Sequence, residues 1–294
     1  MFGCILKILQ LLKYLICSFF KCLISSICPP CKTTFAGEIV LITGAANGIG
    51  RQIALAFAPL GAILVLWDID DEGNKETRRL AENYGAVRVF TYHCDCSNRE
   101  EVYQQADKVR KEVGDVTILV NNVGTVLGKK FCDTSGEDFE KIMRVNFFSQ
   151  VWTCKAFLPA MIARNRGHLV SIASAGGLLG LYRGTDYCAS KSAVIGMMEA
   201  IDSELYHSGK HGIKTTIVCP YFVRTRLARG FKSECPLLLP VFDPAYVACR
   251  IVDAVRKEKF YLVMPPTLRL FGLKFLIPRI FILLFESCIN LQHG

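Results

Sequence analysis

The chain has 294 residues, 51% of them hydrophobic, and a formal net charge of +9, enough for a large core in one or two domains. The charge sits at the ends: residues 1–35 carry Lys7, Lys13, Lys21 and Lys32 with no acid, and the tail beyond Val255 is again basic and apolar. A nearly neutral body with basic, greasy ends excludes the footprint of a nucleic-acid binder and points to a domain resting on an anionic membrane surface. The 14 cysteines are scattered, many in apolar runs, which suits a reducing compartment better than a disulfide framework. Cys28-Pro-Pro-Cys31 has metal-ligand spacing, but no second pair completes a site, so no metal is expected; acylation beside a membrane segment is an alternative use.

From Phe2 to Ile27 the chain is apolar but interrupted by lysines, and no uncharged run reaches the ~18–20 residues of a spanning helix. At about 100° per residue, Lys7, Gln10, Lys13 and Lys21 share one sector of a helix. An amphipathic helix in the membrane interface fits, as does a tilted insertion with snorkelling lysines. A buried core helix is the non-membrane alternative. Residues 1–35 are therefore expected to anchor, and residues 36–265 to form the folded domain. Residues 266–294 are an apolar basic tail split by Pro278, suited to a second interfacial contact, a subunit contact or a pocket wall.

The body alternates strand and helix patterns. Ile39–Thr43 is a short apolar run of the buried-parallel type, followed by Gly44, Asn47, Gly48, Ile49 and Gly50 and then a helical pattern from Arg51. Strand, glycine turn and helix together form the context of a dinucleotide site, in which free N–H groups at the helix start meet a pyrophosphate. The next strand, from Ile63, ends in Asp68, placed to bind ribose hydroxyls and repel a 2′-phosphate. With neutral Asn47 this favours NAD over NADP; a helix-capping aspartate is the alternative. Val87–Tyr92 precedes Cys94-Asp95-Cys96-Ser97, with Ser97 expected to cap a helix over 98–113. Further strands are expected near 118–120, 168–172, 214–219 and 260–263, and helices over 136–147, 149–164, the segment around Tyr187, and 243–257. Seven strands with helices between them define an α/β fold: one Rossmann-type, doubly wound parallel sheet. Ligands of such sheets sit at the strands' carboxyl ends, where Asp68, Asp95, Asn121, Ser174 and Pro220 fall.

Tyr187-Cys-Ala-Ser-Lys191 places a phenol and an ammonium on one helix face at i and i+4. A free tyrosine titrates near ~10 and is no base at neutral pH; a nearby cation favours the phenolate. Alone, the spacing is a frequent accident on helix surfaces.

Together, Thr43-Gly44…Gly48-Ile49-Gly50, Asn121-Asn122-x-Gly124, Asn146, Ser174, Tyr187-x-x-x-Lys191 and Pro220…Thr225 resemble the short-chain dehydrogenase/reductases in order and spacing. The stretches around Gly37, Asp68 and Cys94 are similar to the membrane-bound branch that acts on retinoids and hydroxysteroids. Two departures stand out: Val123 where alanine is usual, and Tyr221 where glycine usually follows the proline.

The resemblance implies roles. Tyr187 is the base, Lys191 lowers its pKa and contacts the nicotinamide ribose, Ser174 holds the substrate oxygen, and Asn146 positions a water toward Lys191. Cofactor contacts are implied at Gly44, Asn47, Gly48, Ile49, Gly50, Asp68, Asp95, Asn122, Gly124, Tyr187, Lys191, Pro220 and Thr225. The implied reaction is NAD-dependent oxidation of a lipophilic alcohol, all-trans-retinol first and a hydroxysteroid second. The implied setting is a homodimer at the endoplasmic reticulum membrane or a lipid droplet. Apolar residues around Leu178–Tyr182 and Phe231–Leu239 suit a greasy substrate, with Gly230 as a hinge. The opposing reading is a membrane-surface protein whose enzyme fold is a scaffold; intact Asn146, Ser174, Tyr187 and Lys191 argue against it.

Overall fold

A computed structural model describes residues 34–228, 239–273 and 278–280, together with Lys13 and Ile16. The chain divides into residues 1–33 and a compact unit of residues 34–294, and the sheet belongs to the second. The expected amphipathic helix, the Cys28–Cys31 pair and the Gly230 hinge lie outside the described residues, as does most of the tail after Pro266–Leu273, a run of 3-10 turns. Among the described residues no helix is long and apolar enough to cross a membrane.

Seven strands pair in parallel, β1 (Ile39–Thr43), β2 (Ile63–Asp68), β3 (Arg88–His93), β4 (Ile118–Asn121), β5 (Gly167–Ile172), β6 (Ile213–Pro220) and β7 (Tyr261–Met264), in the order β3-β2-β1-β4-β5-β6-β7. The helices between them are α1 (Gly48–Phe57), α2 (Asp71–Asn83), α3 (Arg99–Glu112), α4 (Gly136–Met143), α5 (Ser149–Arg164), α6 (Thr185–His207) and α7 (Pro244–Arg256). Strand side chains alternate between two cores, which is why the central strands are apolar throughout. Leu41, Trp67, Leu119, Leu169 and Ile217 face α3, α5 and α6. Val40, Ile42, Leu66, Val170 and Val218 face α1, α2 and α7. Strand order reverses between β1 and β4, and a crevice opens there at the carboxyl ends, the usual ligand position of such sheets.

Two local expectations are corrected. The cap of α3 is Asn98, whose side chain accepts from the backbone N–H groups of Glu100 and Glu101. Ser97 instead donates its hydroxyl to Asp95 Oδ1 at 2.7 Å, satisfying the carboxylate that opens the turn. And α1 starts at Gly48, three residues before the expected Arg51, so the glycines form its first turn.

Between α4 and α5 the helix does not break but widens into a π turn, Arg144–Phe148. Such single turns hold one extra residue and recur at functional sites. Asn146 lies at its centre and is fully buried.

Candidate active site

A cavity of about 1350 Å³ opens over the carboxyl ends of the strands. One end is built by the β1–α1 turn. Gly44 (φ +67°) and Gly48 (φ +56°) lie in the left-handed region open to glycine. A Cβ on Gly50 would lie 2.1 Å from Gly44 O and 2.6 Å from Asn122 Nδ2. The backbone is thus drawn into a cradle that only glycines permit, at the start of α1, where a helix offers the free N–H groups that a pyrophosphate requires. Gly44, Asn47, Gly48 and Ile49 line it; Gly50 packs underneath. Asn122 braces the turn, its side-chain N–H₂ donating to Thr43 O at 3.0 Å and Gly44 O at 3.1 Å.

Asp68 also lines the cavity. It is not the cap of α2, a role taken by Asp70. Its oxygens accept from the N–H of Ala46 (2.8 Å) and of Asp70 (3.0 Å), and each retains a lone pair for a ribose hydroxyl. Asp95 contributes to the same end, with Oδ1 bound to Ser97. Sequence reasoning missed a second brace. Arg51 donates to Thr77 Oγ1 (3.0 Å), to Gly73 O (3.2 Å) and to Ala46 O, while Thr77 donates to Ala45 O at 2.8 Å. Only the Gly-Arg junction at the helix start could have signalled it.

At the other end, β5 runs out at Ile172 and Ser174 starts a short 3-10 turn, accepting from Gly176 N–H at 3.0 Å. Helix α6 brings Tyr187 beside Ser174, and Lys191 Nζ lies 5.8 Å from the Tyr187 ring centre. The predicted trio is assembled. Burial pushes the Tyr187 phenol up, and the nearby Ser174 hydroxyl only partly opposes this. Lys191, buried, is pushed down to about 8 and donates to Ile172 O at 2.9 Å.

Asn146 does not line the cavity. Its Oδ1 accepts from Thr125 N–H (2.7 Å), and its N–H₂ donates to Thr125 O (2.9 Å) and Ser190 Oγ (3.0 Å). It ties the loop after β4 to the Tyr187 helix. Gly124 lies between these parts, where a Cβ would come 3.3 Å from Lys191 Nζ. Val123, half-buried, packs its side chain beside Gly44 and against the core. Pro220 and Thr225 complete the wall, with the Thr225 methyl group, Cγ2, 3.5 Å from the Cβ position of Gly48. All these residues therefore meet at one cavity except Gly50 and Asn146, which support it from behind.

A glycine cradle, a strand-end carboxylate and a Ser–Tyr–Lys cluster in one crevice define a dinucleotide-dependent oxidoreductase. The sequence model described as short chain dehydrogenase matches residues 38–235. Epidermal retinol dehydrogenase 2 of Homo sapiens is 52% identical over 251 residues, 85% of this chain and 81% of the relative. The human 17-beta-hydroxysteroid dehydrogenase 13 is 42% identical over 268 residues, 91% and 88% of the two chains. Among solved structures, a short chain dehydrogenase/reductase from Burkholderia phymatum in complex with NAD superposes with a TM-score of 0.74 at 28% identity, covering 83% of this chain and 96% of the other. The chain belongs to the short-chain dehydrogenase family.

Proposed function

We propose that the chain is an NAD-dependent dehydrogenase of lipophilic alcohols, with all-trans-retinol, oxidised to all-trans-retinal, as first substrate. The observation that carries this reading is that Ser174, Tyr187 and Lys191 line the same cavity as the glycine cradle and Asp68. NAD, when bound, supplies the hydride acceptor. Glycines 44, 48 and 50 let the backbone reach its pyrophosphate, and Asp68 takes the ribose hydroxyls. Ser174 holds the substrate oxygen at hydrogen-bond distance, and Tyr187 accepts its proton. Lys191 contributes charge beside the phenol, and Asn146, through Thr125 and Ser190, keeps loop and helix in register. Relatives named for retinol and for a hydroxysteroid support a greasy alcohol. A hydroxysteroid is the second reading, supported by the 42% identity with the human hydroxysteroid dehydrogenase.

The same reading takes residues 1–35 as the membrane anchor, 36–265 as the catalytic domain and 266–294 as a second apolar contact, at the endoplasmic reticulum membrane or a lipid droplet. It pairs two copies through α5 and α6. Membranes carrying the full chain, given NAD and retinol, should produce retinal by chromatography and NADH by fluorescence. Absence of both retinal and oxidised steroid product would refute the lipid-alcohol assignment.

Asp68→Ala tests the cofactor. A carboxylate about 4 Å from a phosphate repels it by roughly 4 kcal/mol at the effective dielectric of a protein surface. The preference for NAD over NADP, measured as the ratio of kcat/KM values, should fall at least about tenfold. An unchanged ratio would remove Asp68 from the ribose.

A further inference from the structure

Burial pushes four tyrosine phenols upward: Tyr92, Tyr187, Tyr221 and Tyr261. Two have hydrogen-bond partners, Glu112 for Tyr92 (2.8 Å) and Glu199 for Tyr261, and Tyr187 has the Ser174 hydroxyl nearby. Tyr221 is the exception. It is 8% exposed, and desolvation alone perturbs it, with no hydrogen bond to its hydroxyl among the described residues. A tyrosine hydroxyl carried on a largely buried ring normally finds a partner. Here the partner has somewhere to come from, because Tyr221 lines the cavity that holds Ser174 and Tyr187.

The ring is fixed in place. Tyr221 follows the last residue of β6, its N–H donates to Met264 O at 2.8 Å, and its ring meets Phe222 edge-on with centroids 4.4 Å apart. It packs in the same core as Ile217 and Cys219, on the side of the sheet that carries α6 and hence Tyr187. Yet it makes no bond to Tyr187 or Ser174, which already serve the reacting oxygen of the alcohol.

We propose that Tyr221 is a specificity-determining residue whose hydroxyl donates to a second, non-reacting oxygen of the substrate. This rests on the lipid-alcohol reading above and deepens it. An alcohol with a single oxygen leaves the phenol unpaired, whereas one with a second oxygen satisfies it.

Tyr221→Phe removes the donor and keeps the ring. Two probes decide: all-trans-retinol, with one oxygen, and estradiol, with two, each at saturating NAD. In the variant, kcat/KM for estradiol should drop about tenfold through KM, with retinol turnover unchanged or improved. The retained retinol rate shows that the variant is folded. Equal losses for both probes, no loss for either, or a change confined to the KM for NAD would overturn the proposal. So would wild-type protein that oxidises retinol but not estradiol. Wild-type protein that oxidises neither removes the lipid-alcohol reading itself, and this inference with it.

Discussion

Tyr187→Phe is expected to lower kcat by roughly 10²–10⁴-fold, the usual worth of a positioned general acid or base, while leaving cofactor affinity intact. The phenyl ring keeps the packing under Gly176, whose Cβ position lies 3.4 Å from the Tyr187 ring. Ser174 still offers its hydroxyl to the substrate oxygen. What disappears is the group that takes the proton. No other side chain replaces it: Lys191 Nζ is engaged with Ile172 O, and burial pushes the Cys219 thiol up to about 12. Burial also disfavours the phenolate at Tyr187. Single-turnover NADH formation measures the loss, and NADH fluorescence titration measures binding. Near wild-type turnover in the variant would take the base role away from Tyr187.

Gly50→Ala should abolish cofactor binding. The new methyl would sit 2.1 Å from Gly44 O and 2.6 Å from Asn122 Nδ2. Neither neighbour can move freely, because Asn122 is bonded to both Thr43 and Gly44. The turn must open, and overpacking of this kind costs about 1–3 kcal/mol of stability. Opening the turn also separates the N–H groups that meet the pyrophosphate. Two charge-assisted hydrogen bonds lost, at about 1.5–3 kcal/mol each, correspond to at least about a hundredfold weaker binding. Gly136→Ala is the control: that glycine is exposed, has a negative φ and meets nothing within 4 Å of its Cβ position. Titration of NADH and a thermal melt on both variants separate the two effects. Equal NAD affinity in Gly50→Ala and wild type would disprove the cradle.

Much of this was legible before any coordinates. Strands buried on both faces announce themselves as apolar runs, so all seven were found to within a residue or two. Asp68, Ser174 and Tyr187 stand at strand ends or in a motif with fixed spacing. The errors have physical causes. Ser97 and Asn98 are both good caps, and the choice between them turned on Asp95, which captured the serine hydroxyl. The Arg51–Thr77 brace joins residues 26 apart on different helices, and no local pattern encodes such a meeting. For Tyr187, spacing revealed which charge lies near but not how much water the site excludes. That second quantity decides the direction of the shift.

An extra residue inside a helix is a change of phase. The π turn Arg144–Phe148 rotates all of α5 by about 100° relative to an unbroken continuation of α4. That rotation is what turns Phe157 and Met161 onto the sheet. Asn146, which joins Thr125 to Ser190, lies inside the same five residues. One residue count therefore sets both the indexing of a core helix and the link behind the reacting groups. A substitution in this turn alters a contact; the loss of a single residue re-indexes the sixteen residues of α5.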